Sequence, residues 1–150
     1  MKLYPKIEEI LLQLEGNIQS DATLDEIAST ISEALAHKAP LSINYICTHN
    51  SRRSQFSQVW SAVAAYNYGL DIESYSAGVE VTACNERTVA SLKRMGFKVE
   101  QKTNGNNPLY QVWFAEDASI ELFSKTFNDE SCPKENFFTM MTCGYADQNC

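Results

Sequence analysis

The sequence predicts an α/β protein with a central, mainly parallel sheet, preceded by a pair of N-terminal helices. Three observations carry this. Apolar, β-branched and aromatic runs at 41–47 and 136–143 are continuous rather than alternating, as in strands covered on both faces. Segments of helical period lie between the strand-like runs, and this alternation implies parallel strands joined by right-handed crossovers. A length of 150 residues, 44% hydrophobic and 21% charged, suits one packed core and excludes a chain that is disordered or fibrous by composition.

The elements follow in order. Pro5 suits a first helical position, and Ile7, Ile10, Leu11 and Leu14 continue at helical spacing until Gly16-Asn17 stops the helix. Thr23, with Glu26 three residues on, reads as the N-cap of a second helix. Leu24, Ile27, Ala28, Ile31 and Leu35 form its apolar stripe. Residues 1–40 are therefore expected as a helical extension for packing or dimerisation, with 41–150 as the domain that carries chemistry. Residues 41–47 read as a buried strand. Residues 51–69 are helical, with Phe56, Val59, Trp60, Val63 and Ala64 on one side, and 71–75 form a second strand closed by Ser76-Ala77-Gly78. A helix is expected over 86–95 with Gly96 at C′. Alternation at 97–100, turn residues at 103–108 and a strand-like run at 109–114 predict an antiparallel hairpin. Residues 117–127 are expected to be helical, and 136–143 to be a strand in the middle of the parallel sheet. Tyr45, Trp60 and Tyr75 are expected in the core.

Charge and cysteine usage narrow the function. The net charge is −7, from 12 basic and 19 acidic residues, and the basic residues are scattered, which argues against nucleic acid. No run approaches ~18 apolar residues, so no membrane span is expected. Residues 1–6 lack the features of a signal peptide, so a cytoplasmic location is expected. Five cysteines are an odd number and include no C-x-x-C pair, and the two histidines are His37 and His49. A closed disulfide framework and a metal site are both disfavoured, leaving buried thiols or redox chemistry. No cofactor is expected.

The segment Cys47-Thr48-His49-Asn50-Ser51-Arg52-Arg53-Ser54 lies between a strand and a helix. Ligands bind at that end of strands in open α/β sheets, where a helix start offers unpaired N–H groups to an anion. A loop of this length can curl its amides around a tetrahedral oxyanion, with Arg53 folding back to bind two of its oxygens. The helix dipole and Arg53 would lower the Cys47 pKa, and Ser54 can donate to the thiolate. A free cysteine most often ends as a small core residue, and a bare Cys-x5-Arg recurs by chance. Its place between strand and helix is what makes it a candidate nucleophile with its own oxyanion cradle.

At these residues the chain resembles the low-molecular-weight protein tyrosine phosphatases and, among them, the thioredoxin-coupled arsenate reductases. Their loop reads Cys-Thr-Gly-Asn-Ser-Cys-Arg-Ser, so His49 and Arg52 replace a glycine and a cysteine. Ser76-Ala77-Gly78 is similar to the family's Ser-Ala-Gly after the second strand. Cys143-Gly144-Tyr145-Ala146-Asp147-Gln148-Asn149-Cys150 is similar to the reductases' redox segment, Cys-x-Asp-Ala-Asp-x-x-Cys-Pro, with Tyr145 in place of an aspartate. The resemblance covers 41–96 and 136–150 and omits the N-terminal helices and the hairpin. It implies a flavodoxin-like three-layer fold.

The resemblance also implies roles. Cys47, Arg53, Ser54, Cys143 and Cys150 would be catalytic, and Thr48, His49, Asn50, Ser51, Arg52 and Arg53 would hold the oxyanion. Cys47 would attack arsenate, Cys143 would resolve the adduct, and Cys150 would carry the oxidation to a disulfide that a thioredoxin-like reductant reduces. That exchange needs a mobile loop, because a disulfide requires Cα atoms within ~7 Å. As a phosphatase, Cys47 would instead take a phosphoryl group from an aryl phosphate, which needs a general acid. The family draws that acid from an Asp-Pro loop, and no Asp-Pro occurs in these residues. Asp147 is either a substitute acid or the aspartate of the redox loop. The expectation is that 41–150 lacks the family's C-terminal strand, aspartate loop and helix. A silent anion-binding or redox module is the third reading. Cys84 and Cys132 match nothing and are expected to be structural or surface thiols. An exposed apolar stripe on the N-terminal helices would favour a homodimer.

Overall fold

Leu41–Cys47 (β1) buries Leu41, Ile43, Ile46 and Cys47, which lie on both of its faces, and this makes it the centre of a sheet. The computed structural model describes residues 2–37 and 40–149. Around β1 the chain forms Pro5–Glu15 (α1), Ala22–Ala36 (α2), Arg53–Tyr68 (α3), Ile72–Gly78 (β2), Glu86–Arg94 (α4) and Lys98–Gln101 (β3). Tyr110–Ala115 (β4), Ala118–Leu122 (β5), Phe137–Met141 (β6) and Gly144–Asn149 (α5) complete it. Among the described residues no helix is long and apolar enough to cross a membrane.

The α/β class is as the sequence predicts. β1 pairs in parallel with β2, from Leu41↔Ile72 to Cys47↔Gly78, and with β6, from Ser42↔Phe137 to Ile46↔Met141. The order β2-β1-β6 is the winding of the first three strands of a flavodoxin-like sheet. The chain leaves β1 to one side for β2 and later returns on the other side for β6. The carboxyl end of β1 is thus the switch point, where a crevice opens beyond the strands.

The apolar run ending at Met141 does pair in parallel, but β6 occupies an edge of the three-stranded sheet and not its middle. Phe137 and Met141 are accordingly exposed. Residues 118–122 correct the expected helix at 117–127. Glu116-Asp117 is a tight turn, and Ala118, Ile120 and Leu122 alternate inward, so period two prevails and β5 pairs antiparallel with β4. The hairpin of β3 and β4 forms as expected, which gives a second sheet of order β3-β4-β5.

α3 lies between the two sheets. Val59 and Val63 join Leu92, Phe97, Val112 and Leu122 in the main core. On its other side, Ser61 and Gln58 meet the β2 hydroxyls of Ser74 (2.8 Å) and Ser76 (2.6 Å). Gly69, with φ 62, ends α3 in the left-handed conformation that glycine adopts without a Cβ penalty. Trp60 packs edge-on against Phe97, and Tyr45, Trp60 and Tyr75 are all half-buried. The opposite face of the parallel sheet is covered by a smaller cluster of Ile46, Ala77, Cys132 and Ala146.

The first two helices differ in how they are held. α1 is drawn into the main core by the buried Leu3 and Ile7, and the Tyr4 amide donates to Phe114 O at 2.9 Å. α2 buries none of its described residues. It starts at Asp21 and not at Thr23, because the Asp21 carboxylate accepts the Leu24 amide at 2.9 Å. A carboxylate at that place also complements the positive end of the helix dipole.

Candidate active site

The segment between β1 and α3 has to reverse direction in a few residues while leaving no buried peptide group unpaired. Asn50 makes the reversal, with φ 44, a left-handed conformation that asparagine tolerates better than most residues. It is fully buried and its side chain is held at both ends. Oδ1 accepts the Lys125 amide at 3.0 Å, and Nδ2 donates to Ser54 Oγ at 2.9 Å. A backbone N–H can only donate, so it fixes which way the Asn50 amide faces. Ser54 Oγ therefore receives a hydrogen from Asn50, and its own hydrogen is left for Cys47 Sγ, 3.0 Å away. The chain of hydrogen bonds thus runs toward the sulfur.

The loop's carbonyls are held from outside. Thr48 O accepts the Val79 and Glu80 amides at 2.8 and 2.9 Å, and Asn50 O accepts Gln55 Nε2 at 2.9 Å. Ser51 O accepts the Asn85 amide at 2.9 Å and Thr88 Oγ1 at 3.2 Å. In a planar trans peptide the N–H points opposite to the C=O, so carbonyls held outward turn amides inward. The amides of Asn50, Ser51 and Ser54 turn toward Cys47 Sγ and favour its thiolate. Gly78 permits this closeness, since a Cβ there would lie 2.7 Å from Asn50 N and 2.8 Å from Thr48 O.

Burial by itself pushes the Cys47 thiol up, but the Ser54 hydroxyl and the Ser54, Ser51 and Asn50 amides outweigh it and hold its pKa below the ordinary thiol value. The expected lowering is therefore present through hydrogen bonds to the sulfur, while the Arg53 charge is felt at Cys143. Cys47, Ser51, Arg52 and Arg53 line a cavity of about 230 Å³ closed by Thr82 and Asn85. His49 lines it too, with Nε2 3.3 Å from Glu80 Oε2 on a half-exposed rim. Of the loop residues named on sequence grounds, Cys47, His49, Ser51, Arg52 and Arg53 thus share this crevice, whereas Asn50 and Ser54 are fully buried and the Thr48 hydroxyl meets Cys143.

Cys143 follows β6 and reaches the same edge, with Sγ 3.5 Å from Thr48 Oγ1. Slight burial raises its pKa, but the Thr48 hydroxyl, the Ala146 and Thr48 amides and the Arg53 charge bring it below the usual value. Asp147 is exposed on α5, one turn away. Cys150 lies outside the described residues. Cys84 and Cys132 are buried thiols; desolvation pushes Cys84 up to about 12 and raises Cys132. Among the described residues no cluster of three or more His, Cys, Asp or Glu side chains can hold a metal ion.

Sequence reasoning did not single out Gln55, Asn85 or Thr88, which hold the loop from outside. A signal was present for Gln55: α3 places it one turn from the core residue Val59, and a buried polar side chain needs a partner. The partner itself, a loop carbonyl, is visible only in three dimensions.

Residues 42–135 match the family described as low molecular weight phosphotyrosine protein phosphatase. The chain belongs to this family. The match runs through the β3–β5 hairpins and ends before Cys143. Among curated relatives, arsenate reductase 1 of Staphylococcus saprophyticus is 32% identical over 94 residues, 61% of this chain and 65% of that protein. The arsenate reductase of Bacillus subtilis is 34% identical over 62 residues, 41% of this chain and 42% of that protein. The chain thus spans 65% of the first relative's length and 42% of the second's. A solved structure, the thioredoxin-dependent arsenate reductase of Corynebacterium glutamicum, is similar with a TM-score of 0.38 and 17% identity, covering 93% of this chain and 83% of that one.

Proposed function

We propose that this phosphatase-family chain is an arsenate reductase that works by a three-cysteine relay. The observation that carries the reading is the joint position of Cys47 and Cys143. Cys47 ends β1 and opens the loop, Cys143 follows the adjacent parallel strand β6 and contacts that loop, and both thiols are shifted toward the thiolate. Residues 41–150 would carry the chemistry, and the first forty residues would pack around it.

In this mechanism the Cys47 thiolate attacks arsenic and a hydroxyl group leaves as water after protonation, giving a sulfur–arsenic(V) adduct. The inward amides and Arg53 hold the oxyanion while charge builds on it. The Cys143 thiolate then attacks Cys47 Sγ. A disulfide forms, the sulfur–arsenic bond breaks, and its electron pair stays on arsenic, which leaves as arsenite. Two thiols have supplied the two electrons. Cys150 next attacks Cys143 Sγ, releasing the Cys47 thiolate and leaving a Cys143–Cys150 disulfide. A thioredoxin-type dithiol, the proposed partner, reduces that bond.

Thiol titration tests this. Arsenate alone, in the absence of reductant, should remove two titratable thiols, found by mass spectrometry as a Cys143–Cys150 bond. Thioredoxin with its reductase should restore them and sustain turnover. An unchanged thiol count after arsenate would sink the reading.

A phosphatase is the second reading, favoured by one observation: the family match covers the Cys47 loop and stops short of Cys143. Cys47 would then accept a phosphoryl group that water removes. Hydrolysis of a small aryl phosphate that vanishes in Cys47→Ser, with no thiol loss to arsenate, would favour it. Oxyanion binding with neither activity would leave a silent binding module.

A further inference from the structure

Three of the loop carbonyls are held by the elements described above; the fourth, on His49, accepts Thr82 Oγ1 at 3.2 Å and, more closely, a hydroxyl seventy-five positions away in sequence. Ser124 lies just after β5, is fully buried, and donates from Oγ to His49 O at 2.8 Å. The direction is forced. Ser124 Oγ accepts the Thr82 amide at 2.9 Å, and since that amide can only donate, the serine hydrogen goes to the carbonyl. The Ser124 backbone is itself clamped. Asn107, in the turn-rich segment between β3 and β4, accepts the Ser124 amide on Oδ1 at 3.0 Å and donates from Nδ2 to Ser124 O at 2.8 Å.

The geometry has a consequence at the nucleophile. His49 O and the Asn50 N–H belong to one planar peptide and point in opposite directions. Drawing the oxygen outward aims the N–H inward, and the Asn50 amide is one of the groups that favour the Cys47 thiolate. We propose that Ser124 is a positioning residue for the oxyanion loop, aiming the Asn50 amide at Cys47 from a brace anchored by Asn107. The antiparallel sheet, which carries no residue of the cysteine relay, thereby sets the state of the thiol. This inference rests on the reading of Cys47 as a thiolate nucleophile. It does not depend on whether arsenate or a phosphate ester is the substrate.

The test is the pH profile of Cys47 alkylation by iodoacetamide in the full chain, read by mass spectrometry on the Cys47 peptide, with a melting curve for each variant. Ser124→Ala should move the midpoint up by about one pH unit, slowing alkylation about tenfold below it. Ser124→Thr keeps the hydroxyl and should return the profile to that of the wild type. Asn107→Ala should move it in the same direction by less. Ser74→Ala, which removes a hydroxyl pair between α3 and β2 away from the loop, should lower the melting temperature without moving the midpoint. A folded Ser124→Ala whose midpoint stays in place overturns the brace and leaves the nucleophile reading intact. Should Ser124→Ala not fold, an unmoved midpoint in Asn107→Ala overturns it. A wild-type Cys47 that titrates as an ordinary thiol overturns both.

Discussion

At the scale of single residues, the site depends on the direction of hydrogen bonds more than on net charge. The Lys125 amide orients Asn50, Asn50 orients Ser54, and Ser54 donates to Cys47. Each member has only one way to satisfy its neighbours, so the sulfur is surrounded by donors and favours the anion. This links the thiol to stability. A group whose pKa is lower in the folded state adds stability that is full above its unfolded value, about 8.5 for a thiol, and is lost as pH falls through the folded value. The melting temperature of wild type relative to Cys47→Ala should therefore rise as pH increases through that window and level off above it. Melting curves of the two proteins across pH check this. The raised thiols of Cys84 and Cys132 act in both proteins and cancel in the difference. A gap that narrows with rising pH would contradict the hydrogen-bond geometry.

At the scale of elements, helices with similar apolar periodicity do different work. α1 contributes Ile7, fully buried against Val59, Val63 and Leu92, whereas Leu12 on the same helix is 62% exposed. Ile7→Ala should cost ~2–5 kcal/mol of folding stability, as for other large core truncations. Leu12→Ala should stay within ~0.5 kcal/mol, as surface changes do. Denaturant unfolding of the two variants measures both. The periodicity that predicts α1 was legible in residues 5–14, but not which of its apolar positions would find a partner. The same applies to residues 117–127. The sequence reads as helical there, and the antiparallel partner β4 is what selects the strand Ala118–Leu122.

At the scale of the whole molecule, a chain of net charge −7 gathers Arg52 and Arg53 at one crevice beyond the parallel sheet. An anion bound there stabilises the fold by mass action, about 2.7 kcal/mol at a hundredfold excess over Kd. Arsenate or phosphate should raise the melting temperature of the wild type in a concentration-dependent way. Arg53→Ala should lose most of that rise, while Cys47→Ser should keep part of it because the loop amides remain. Calorimetric scans with and without the anion check this. An equal rise in Arg53→Ala would place the anion elsewhere.

The sequence by itself determined the α/β class, the hairpin after α4, and the position of a thiol at the carboxyl end of the first strand. These are local matters: side-chain periodicity, turn chemistry and one contiguous segment from Cys47 to Ser54 contain the information. Tertiary structure decided that Cys143 stands beside Thr48, that β6 is an edge strand, and that Gln55, Asn85, Thr88 and Ser124 hold the loop. The physical reason is the peptide group. Each buried carbonyl of the loop must find a donor, a donor can come from any segment that packs nearby, and only the packed chain reveals which one does.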